Sequence, residues 1–133
     1  MNTNRYQRTR DDHSMESAED YVELIDELIN ERGEARVVDI ASKLAVSNVA
    51  VSKAVHRLQR DGYVSSQPYR SIFLTDQGRA LAQRAREKHQ LVHDFLECIG
   101  VSAATADTDA EGIYHHVSEE TLGAMRRHLD GLK

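Results

Sequence analysis

Five side chains that could bind a metal ion stand at helical spacing or inside an amphipathic segment. Asp20 and Glu23 are three residues apart, and Glu111 and His115 are four apart, so each pair shares one face of a helix. His89 lies within a third amphipathic segment. Carboxylate oxygens and imidazole nitrogens without a thiolate favour a fairly hard divalent ion such as Mn²⁺. Spacing alone leaves open whether these segments meet, since each such side chain is also typical of a solvated helix surface.

A second set of side chains has the types that bind DNA. Apolar residues at i, i+3, i+4 and i+7 from Val51 form the inward stripe of one predicted helix. Its outward or N-terminal positions are Ser47, Asn48, Val49, Ala50, Ser52, Lys53, His56 and Arg57. Hydroxyl and amide groups can bond base edges, and Val49 or Ala50 can pack on a thymine methyl group. Lys53, Arg57 and Arg70 are placed to hold phosphates, which supply affinity rather than sequence information.

The elements that must position these residues follow from apolar periodicity. It predicts helices over residues 16–32, 36–44, 48–60, 76–99, 103–116 and 118–131. In the second helix Val38 and Ala41 are the expected inward positions. Extended segments at 63–66 and 71–74 flank residues 67–70 and predict a β-hairpin. Ser47, Thr75 and Ser118 are predicted helix caps. The fold class is mainly α with a small β-hairpin wing, in the order of a winged helix-turn-helix.

Length and composition restrict the classes of protein to which this chain can belong. The chain has 133 residues and 40% hydrophobic residues, enough for one compact domain or a small domain with a helical extension. Cys98 is the only cysteine, so no disulfide framework or CxxC zinc motif is possible, which fits the cytoplasm. No apolar run approaches the ~20 residues that span a membrane. Residues 1–14 lack the apolar stretch of a secretory signal, and we expect them to form a disordered tail.

The charge is distributed unevenly. The net charge is −5, yet residues 32–75 contain seven basic and three acidic side chains. A basic middle between acidic segments suits a DNA-facing module beside a carboxylate-rich part that repels nucleic acid or holds cations. The alternative is a three-helix fold with a polar surface helix that serves protein interaction.

The order of these segments resembles the manganese-responsive branch of the diphtheria-toxin-repressor family over about residues 15–130. The resemblance is carried by EDYVELI at 19–25, ARVVDIASKLAVS at 35–47, VSKAVHRLQRDGYV at 51–64, FLTDQGRALA at 73–82, REKHQLVHDFLECIGV at 86–101 and DAEGIYHHVSEETL at 109–122. It implies a winged helix-turn-helix DNA-binding domain at 15–75 and a helical metal-binding and dimerisation domain at 76–133. Metal binding would order a homodimer for a palindromic operator, and the dimer would repress manganese uptake genes.

The resemblance also implies roles for individual residues. Family ligands match Asp20, Glu23, His89, Glu111 and His115, and DNA-contacting positions match Ser47, Val49, Ala50, Ser52 and Lys53. The iron-sensing branch has a thiolate where this chain has Glu111, which favours Mn²⁺, although Fe²⁺ or another divalent transition metal is possible. Apolar positions in the final helices would suffice for a modest dimer interface: Val117, Leu122, Met125, Leu129 and Leu132.

One position departs from the family pattern. Manganese-responsive members usually carry a glutamate before the first His of the pair, and this chain has Tyr114 there. Tyr114 keeps the backbone carbonyl, which can serve the first ion, but lacks the carboxylate that serves a second. A phenol with a pKa near ~10 is a poor replacement at neutral pH. The second ion is therefore weakened, lost or held by another set, for which His93 and Asp107 are the candidates.

Three other functions remain to be separated from this one. A metal-independent winged-helix regulator would bind DNA without added metal. A small metallohydrolase would need motifs that are missing, such as HExxH, a nucleophile elbow or a phosphate loop, so we expect no enzyme and no small organic substrate. A metal-storage protein would not need the basic recognition helix.

Overall fold

The computed structural model describes residues 3–66 and 71–132, and for residues 3–5 and 8–14 it describes the backbone alone. The elements are α1 (Thr3–Arg32), α2 (Val37–Leu44), α3 (Asn48–Arg60), β1 (Val64–Ser65), β2 (Phe73–Leu74), α4 (Asp76–Cys98), α5 (Ala103–Ile113), a 3₁₀ turn (Tyr114–His116) and α6 (Glu119–Asp130). These helices and the antiparallel hairpin confirm the predicted fold class. Within the described ranges, no helix combines the length and apolar character needed to cross a bilayer.

The elements group into two compact units. One unit is Ser17–Gln83, and the other comprises the residues up to Glu16 together with those from Arg84 onward. The division therefore falls inside both α1 and α4, whereas the sequence placed a domain boundary after residue 75. We call them the helix-turn-helix unit and the C-terminal unit, and each is described by itself.

The helix-turn-helix unit is built around one aliphatic core. Its fully buried side chains come from α1, α2, α3 and the hairpin, and they include Ile25, Leu28, Ile40, Val51 and Ile72. Val64 pairs with Leu74 in the hairpin, and Ile72 donates its backbone N–H to the carbonyl of Ala35 at 2.9 Å. That last bond ties the root of the wing to the segment between α1 and α2.

Side-chain caps begin the helices where the sequence predicts them. Ser47 Oγ accepts from the backbone N–H of Ala50 at 3.0 Å, and Ser118 Oγ accepts from that of Thr121 at 3.2 Å. Thr75 Oγ1 accepts from the N–H of Gly78 at 3.0 Å, just inside α4. These bonds satisfy amide groups that the first helical turn leaves without a partner in the helix. The predicted caps are confirmed.

The C-terminal unit has a smaller core of its own. Its buried residues are Ala85, Leu91, Val92, Ala110, Tyr114 and Leu122. Val117, Met125 and Leu129 pack against this cluster, whereas Leu132 is 64% exposed. Most of the apolar positions that the sequence offered to a dimer interface therefore serve the core of the unit itself.

Two local expectations were wrong. α1 begins at Thr3 and runs through the segment expected to be a disordered tail, because no Gly or Pro interrupts the chain before Gly33. In α2 the side chain of Val38 is 56% exposed, and Ile40 beside Ala41 is buried instead. The apolar pattern of an eight-residue helix is too short to choose between two neighbouring faces.

Candidate metal centre and nucleic-acid interface

The N-terminal half of α3 presents the face that the sequence assigned to DNA. Val51 and Ala54 point into the core, while Ala50 is half-buried. The other assigned positions on this helix are exposed: Ser47, Asn48, Val49, Ser52, Lys53 and Arg57. Small groups at the helix start allow close approach to a groove, and the two cations stand further along. The assigned wing-tip cation, Arg70, lies outside the described residues.

The root of the wing and the end of α3 are held by polar contacts. Ser71 Oγ donates to Glu34 Oε2 at 2.9 Å, and Arg36 Nε lies 3.0 Å from Glu34 Oε1. Near the end of α3, Gln59 Nε2 donates to the backbone oxygen of Ser66 beside β1 at 3.4 Å. Burial raises the pKa of Tyr21 on α1, and the charge of Arg57 on α3 opposes that rise. The recognition helix and hairpin are thus fixed to their own unit rather than only adjoining it.

In the C-terminal unit, His89 on α4 faces two carboxylates on α5. Its Nε2 lies 3.7 Å from Asp107 Oδ1, 3.7 Å from Glu111 Oε1 and 3.3 Å from the Asp107 carbonyl oxygen. The side chain of His89 is only 19% exposed. An imidazole facing two carboxylates is a suitable set of donors for a divalent ion.

Tyr114 lies at the centre of this region with its ring fully buried. The ring centroid is 5.8 Å from that of His89 in an edge-on arrangement and 3.9 Å from that of His115. Lys88 Nζ stands 5.7 Å from the same centroid. Tyr114, at the position where the resemblance predicts a glutamate, therefore packs as a core aromatic against two predicted ligands.

The 3₁₀ turn places His115 and His116 beside the N-terminal half of α1. His115 is 7% exposed, and one of its ring nitrogens lies within 4.8 Å of a carboxylate oxygen of Glu16. The next residue, His116, bonds the same carboxylate, with Nε2 2.7 Å from Glu16 Oε2. Because a carboxylate only accepts hydrogen bonds, the ring nitrogen is the donor.

His93, one turn after His89, also lies among carboxylates. Its Nδ1 is 3.2 Å from Asp94 Oδ1, and its Nε2 is 3.2 Å from Glu97 Oε1. The hydrogen bond to the Asp94 carboxylate raises the pKa of His93, with further raising by the charges of Glu97, Asp94 and Asp107, while burial opposes it. Asp107 therefore acts electrostatically on His93 and also lies near His89.

Three of the five predicted metal ligands, His89, Glu111 and His115, lie in the C-terminal unit. In the C-terminal unit, His89 lies near Glu111 and Asp107, and His115 lies near Glu16. The remaining two, Asp20 and Glu23, are half-buried on α1 in the helix-turn-helix unit.

Sequence reasoning missed four residues of these clusters: Glu16, Asp94, Glu97 and His116. A signal existed for two of them, because Glu16 precedes Asp20 by four residues and Glu97 follows His93 by four. Asp94 stands next to His93, so helical spacing gives no reason to pair them. His116 directly follows His115, and adjacent residues do not share a helix face, so helical spacing gives no reason to include it.

The donor set fits a divalent transition metal. It consists of imidazole nitrogens and carboxylate oxygens, which suit Mn²⁺ and Fe²⁺. Across the described residues, Cys98 takes part in no group of three or more such side chains within 4.8 Å. The half-buried His89 and the buried His115 also supply the low solvent access that strengthens coordination.

Comparison with known proteins gives consistent results along the chain. Residues 13–72 match a family described as "Iron dependent repressor, N-terminal DNA binding domain", and residues 75–133 match "Iron dependent repressor, metal binding and dimerisation domain". The chain is 50% identical over 121 residues to the transcriptional regulator MntR of Escherichia coli O6:H1, covering 91% of this chain and 78% of the relative. It is 46% identical over 102 residues to the HTH-type transcriptional regulator MntR of Geobacillus kaustophilus, covering 77% and 72%.

A solved structure agrees with the fold. The structure of the manganese regulator SloR superimposes with a TM-score of 0.73 at 30% identity, covering 85% of this chain and 53% of that one. This chain thus spans about half the length of that solved protein.

Proposed function

Because this chain belongs to the iron-dependent repressor family, we propose that it is a transcriptional regulator whose DNA binding depends on a divalent metal ion, Mn²⁺ in preference to Fe²⁺. The observation that carries the proposal is His89 Nε2 at 3.7 Å from a carboxylate oxygen of both Asp107 and Glu111. The names of the relatives at 50% and 46% identity support a transcriptional regulator, and the likeness to the manganese regulator SloR at 30% identity supports the metal.

The proposed ligands of the first ion are Asp20, Glu23, His89, Glu111 and His115, with the backbone carbonyl of Tyr114. A bound divalent ion would neutralise the carboxylates and fix the imidazoles around one point. Three of these side chains are carboxylates, which repel one another without a cation. Asp20 and Glu23 belong to the helix-turn-helix unit and the others to the C-terminal unit, so we infer that occupancy restricts movement between the units.

A second ion, where one binds, would use His93 and Asp107 in place of the carboxylate that Tyr114 lacks. The support is geometric: Asp107 Oδ1 lies 3.7 Å from Nε2 of His89, one helical turn before His93, and His93 Nε2 lies 3.2 Å from Glu97 Oε1. The domain assignment in this proposal is a DNA-binding domain at 15–75 and a metal-binding and dimerisation domain at 76–133.

The DNA-bound form would be a homodimer on a palindromic operator. Recognition helices of such dimers enter major grooves one helical turn of DNA, ~34 Å, or a multiple of it apart. We assign base contacts to Ser47, Asn48, Val49, Ala50 and Ser52, and phosphate contacts to Lys53, Arg57 and Arg70. Repression of manganese uptake genes is the expected outcome of operator binding.

The test is DNA binding with and without Mn²⁺ at fixed salt. The probe would be duplex DNA enriched from a random pool by the protein in Mn²⁺, with a scrambled duplex as control. We expect tight binding with Mn²⁺, loss on adding chelator and recovery on restoring the metal. Equal binding in Mn²⁺ and in chelator would contradict the proposal and favour a metal-independent winged-helix regulator.

A further inference from the structure

We propose that Glu16 is an additional ligand of the regulatory metal and that His116 positions it. This inference rests on the proposed function, because it adds a ligand to the same centre. Both residues lie in the C-terminal unit, although they are 100 positions apart in the sequence.

The geometry brings the Glu16 carboxylate to a buried proposed ligand. One of its oxygens lies within 4.8 Å of a ring nitrogen of His115, which is 7% exposed. Ligand atoms of one first-row metal ion stand closer together than this, at roughly 3 Å for bonds of about 2.1 Å, so a rotamer adjustment would complete the approach.

His116 holds the carboxylate through a separate contact. Its Nε2 donates to Oε2 of Glu16 at 2.7 Å, and the two side chains are 36% and 33% exposed. A carboxylate has two oxygens, so it can accept this bond and coordinate a metal at the same time. Hydrogen-bonded outer partners of this kind orient metal-ligating carboxylates, and their loss weakens metal affinity by roughly 10–100-fold.

Because position 114 is a buried tyrosine, it supplies no carboxylate to His115, and Glu16 supplies one instead. The aromatic ring contacts His115 at 3.9 Å between centroids, at the position where a family glutamate would bring negative charge. Glu16 brings a carboxylate to His115 from α1, four residues before Asp20, at a position that is not among the family ligands. The rival explanation is a surface ion pair with His116 alone, which would contribute little to stability and nothing to metal affinity.

Glu16→Gln separates the two explanations. The amide oxygen of the new side chain still accepts the hydrogen bond from His116, so a purely structural pair survives, whereas a neutral amide is a poor ligand for Mn²⁺. The control is Glu120→Gln, the same change at an exposed position of α6 in the same unit. The readouts are free Mn²⁺ measured by electron paramagnetic resonance during titration, and urea unfolding of the metal-free protein.

We expect Glu16→Gln to weaken Mn²⁺ binding at least 10-fold while metal-free unfolding stays at the wild-type midpoint, and Glu120→Gln to match wild type in both. Equal Mn²⁺ affinity in wild type, Glu120→Gln and Glu16→Gln would overturn the inference and leave the proposed function intact. Absence of Mn²⁺ binding by the wild type would instead refute the proposed function. Should Glu16→Gln alter the metal-free midpoint, Glu16→Asp decides, since retained affinity requires a carboxylate at this position.

The role of His116 is tested by a double-mutant cycle. His116→Gln keeps a donor and should retain most of the Mn²⁺ affinity, whereas His116→Ala should weaken it by about 10-fold or more. Combined with Glu16→Gln, the His116→Ala change should add no further loss, because His116 acts only through Glu16. Additive losses would show that His116 does not act as the positioning residue.

Discussion

Tyr114 has two roles, one for its side chain in the core and one for its backbone carbonyl at the proposed metal site. Its ring is fully buried and contacts the rings of His89 and His115, and its backbone carbonyl is the group we assign to the metal. A glutamate at this position would place a charged group where the core of the C-terminal unit now has an aromatic ring. The unit thus has apolar packing at the position where the resemblance predicts a carboxylate.

We therefore predict opposite effects of Tyr114→Glu on stability and on metal binding. Without metal, the variant should lose about 3 kcal/mol of unfolding free energy, because a buried aromatic is removed and a carboxylate is buried. With Mn²⁺ it should regain much of this loss and bind more metal equivalents, or bind them more tightly, than wild type. Urea unfolding and metal titration measure the two effects.

Tyr114→Gln is the matched control, since it has the size of Glu without the charge. It should be destabilised to a similar degree and show no extra gain from Mn²⁺. If Tyr114→Glu and wild type bind the same number of metal equivalents with equal affinity, the prediction that binding of the second ion is weakened is wrong.

Some features of the candidate site can be predicted from the sequence, and others cannot. The absence of a carboxylate at position 114 is visible in the sequence, and so are the helical pairs that include Glu23 and His115. The bond from His116 to Glu16 is not, because it joins positions 100 residues apart and depends on how far α1 extends. Periodicity describes one helix at a time and contains no information on which helices meet.

At the scale of elements, the start of α4 is packed directly against the chain that leads into the hairpin. A Cβ atom at Gly78 would lie 2.0 Å from the backbone oxygen of Tyr63 and 3.2 Å from Leu74 Cδ2. The same backbone oxygen accepts the N–H of Thr75 at 3.1 Å. The position requires glycine because of this close approach between two backbones.

Gly78→Ala and Gly123→Ala should therefore change stability in opposite directions. Gly78→Ala forces backbone apart and should cost about 3 kcal/mol. Gly123 lies in α6, where an added Cβ would meet only the flexible end of Arg127 at 3.4 Å, so alanine should stabilise the protein by about 0.5 kcal/mol or more. Urea unfolding of both variants tests this pair, and an unchanged Gly78→Ala protein would refute the tight packing.

The exposed cation on α3 leads to a prediction about DNA. Lys53→Gln should weaken binding to all duplexes by a similar factor and lower the slope of log affinity against log salt by about 1, as expected for one lost phosphate contact. Arg127→Gln, an equal charge change on α6, is the control and should leave the slope unchanged. Fluorescence anisotropy at several salt concentrations measures the slope. A sequence-dependent loss in Lys53→Gln would mean that Lys53 reads a base instead.

Elements were predictable where their signals are local. Ser47 and Thr75 mark the starts of α3 and α4, since a cap needs only residues within one turn. The extent of α1 and the inward face of α2 were not predictable, since both depend on packing: Val38 and Ile40 are equally apolar, and only Ile40 meets a core. The start of a helix without a cap or a breaker has no local signal.

At the scale of the whole molecule, the proposed ligands are shared between two compact units. Asp20 and Glu23 lie in the unit that carries α3, and His89, Glu111 and His115 lie in the other. A ligand set confined to one unit would stabilise that unit alone. A set drawn from both would couple metal occupancy to the recognition helix, and this coupling is what would make the chain a switch.

We predict that Mn²⁺ slows amide hydrogen exchange in both units of the wild type, including the part of α1 that follows Glu16, because ions that bind only the ordered state stabilise it. At free Mn²⁺ about 100 times the dissociation constant, that stabilisation is about 2.7 kcal/mol. Glu23→Gln should abolish the slowing in the helix-turn-helix unit. The control is Glu27→Gln, an exposed position one turn further along α1, which should behave as wild type.

The distribution of this protection decides between a switch and a local metal site. Slowing in the wild type that stays confined to α5 and to the part of α4 from Arg84 onward, and that Glu23→Gln leaves unchanged, would mean that the C-terminal unit binds the ion alone. Metal-dependent DNA binding would then be caused by dimerisation and not by a ligand from the helix-turn-helix unit. Loss of protection in both units with Glu23→Gln would instead show that the two units bind the metal as one cooperative site.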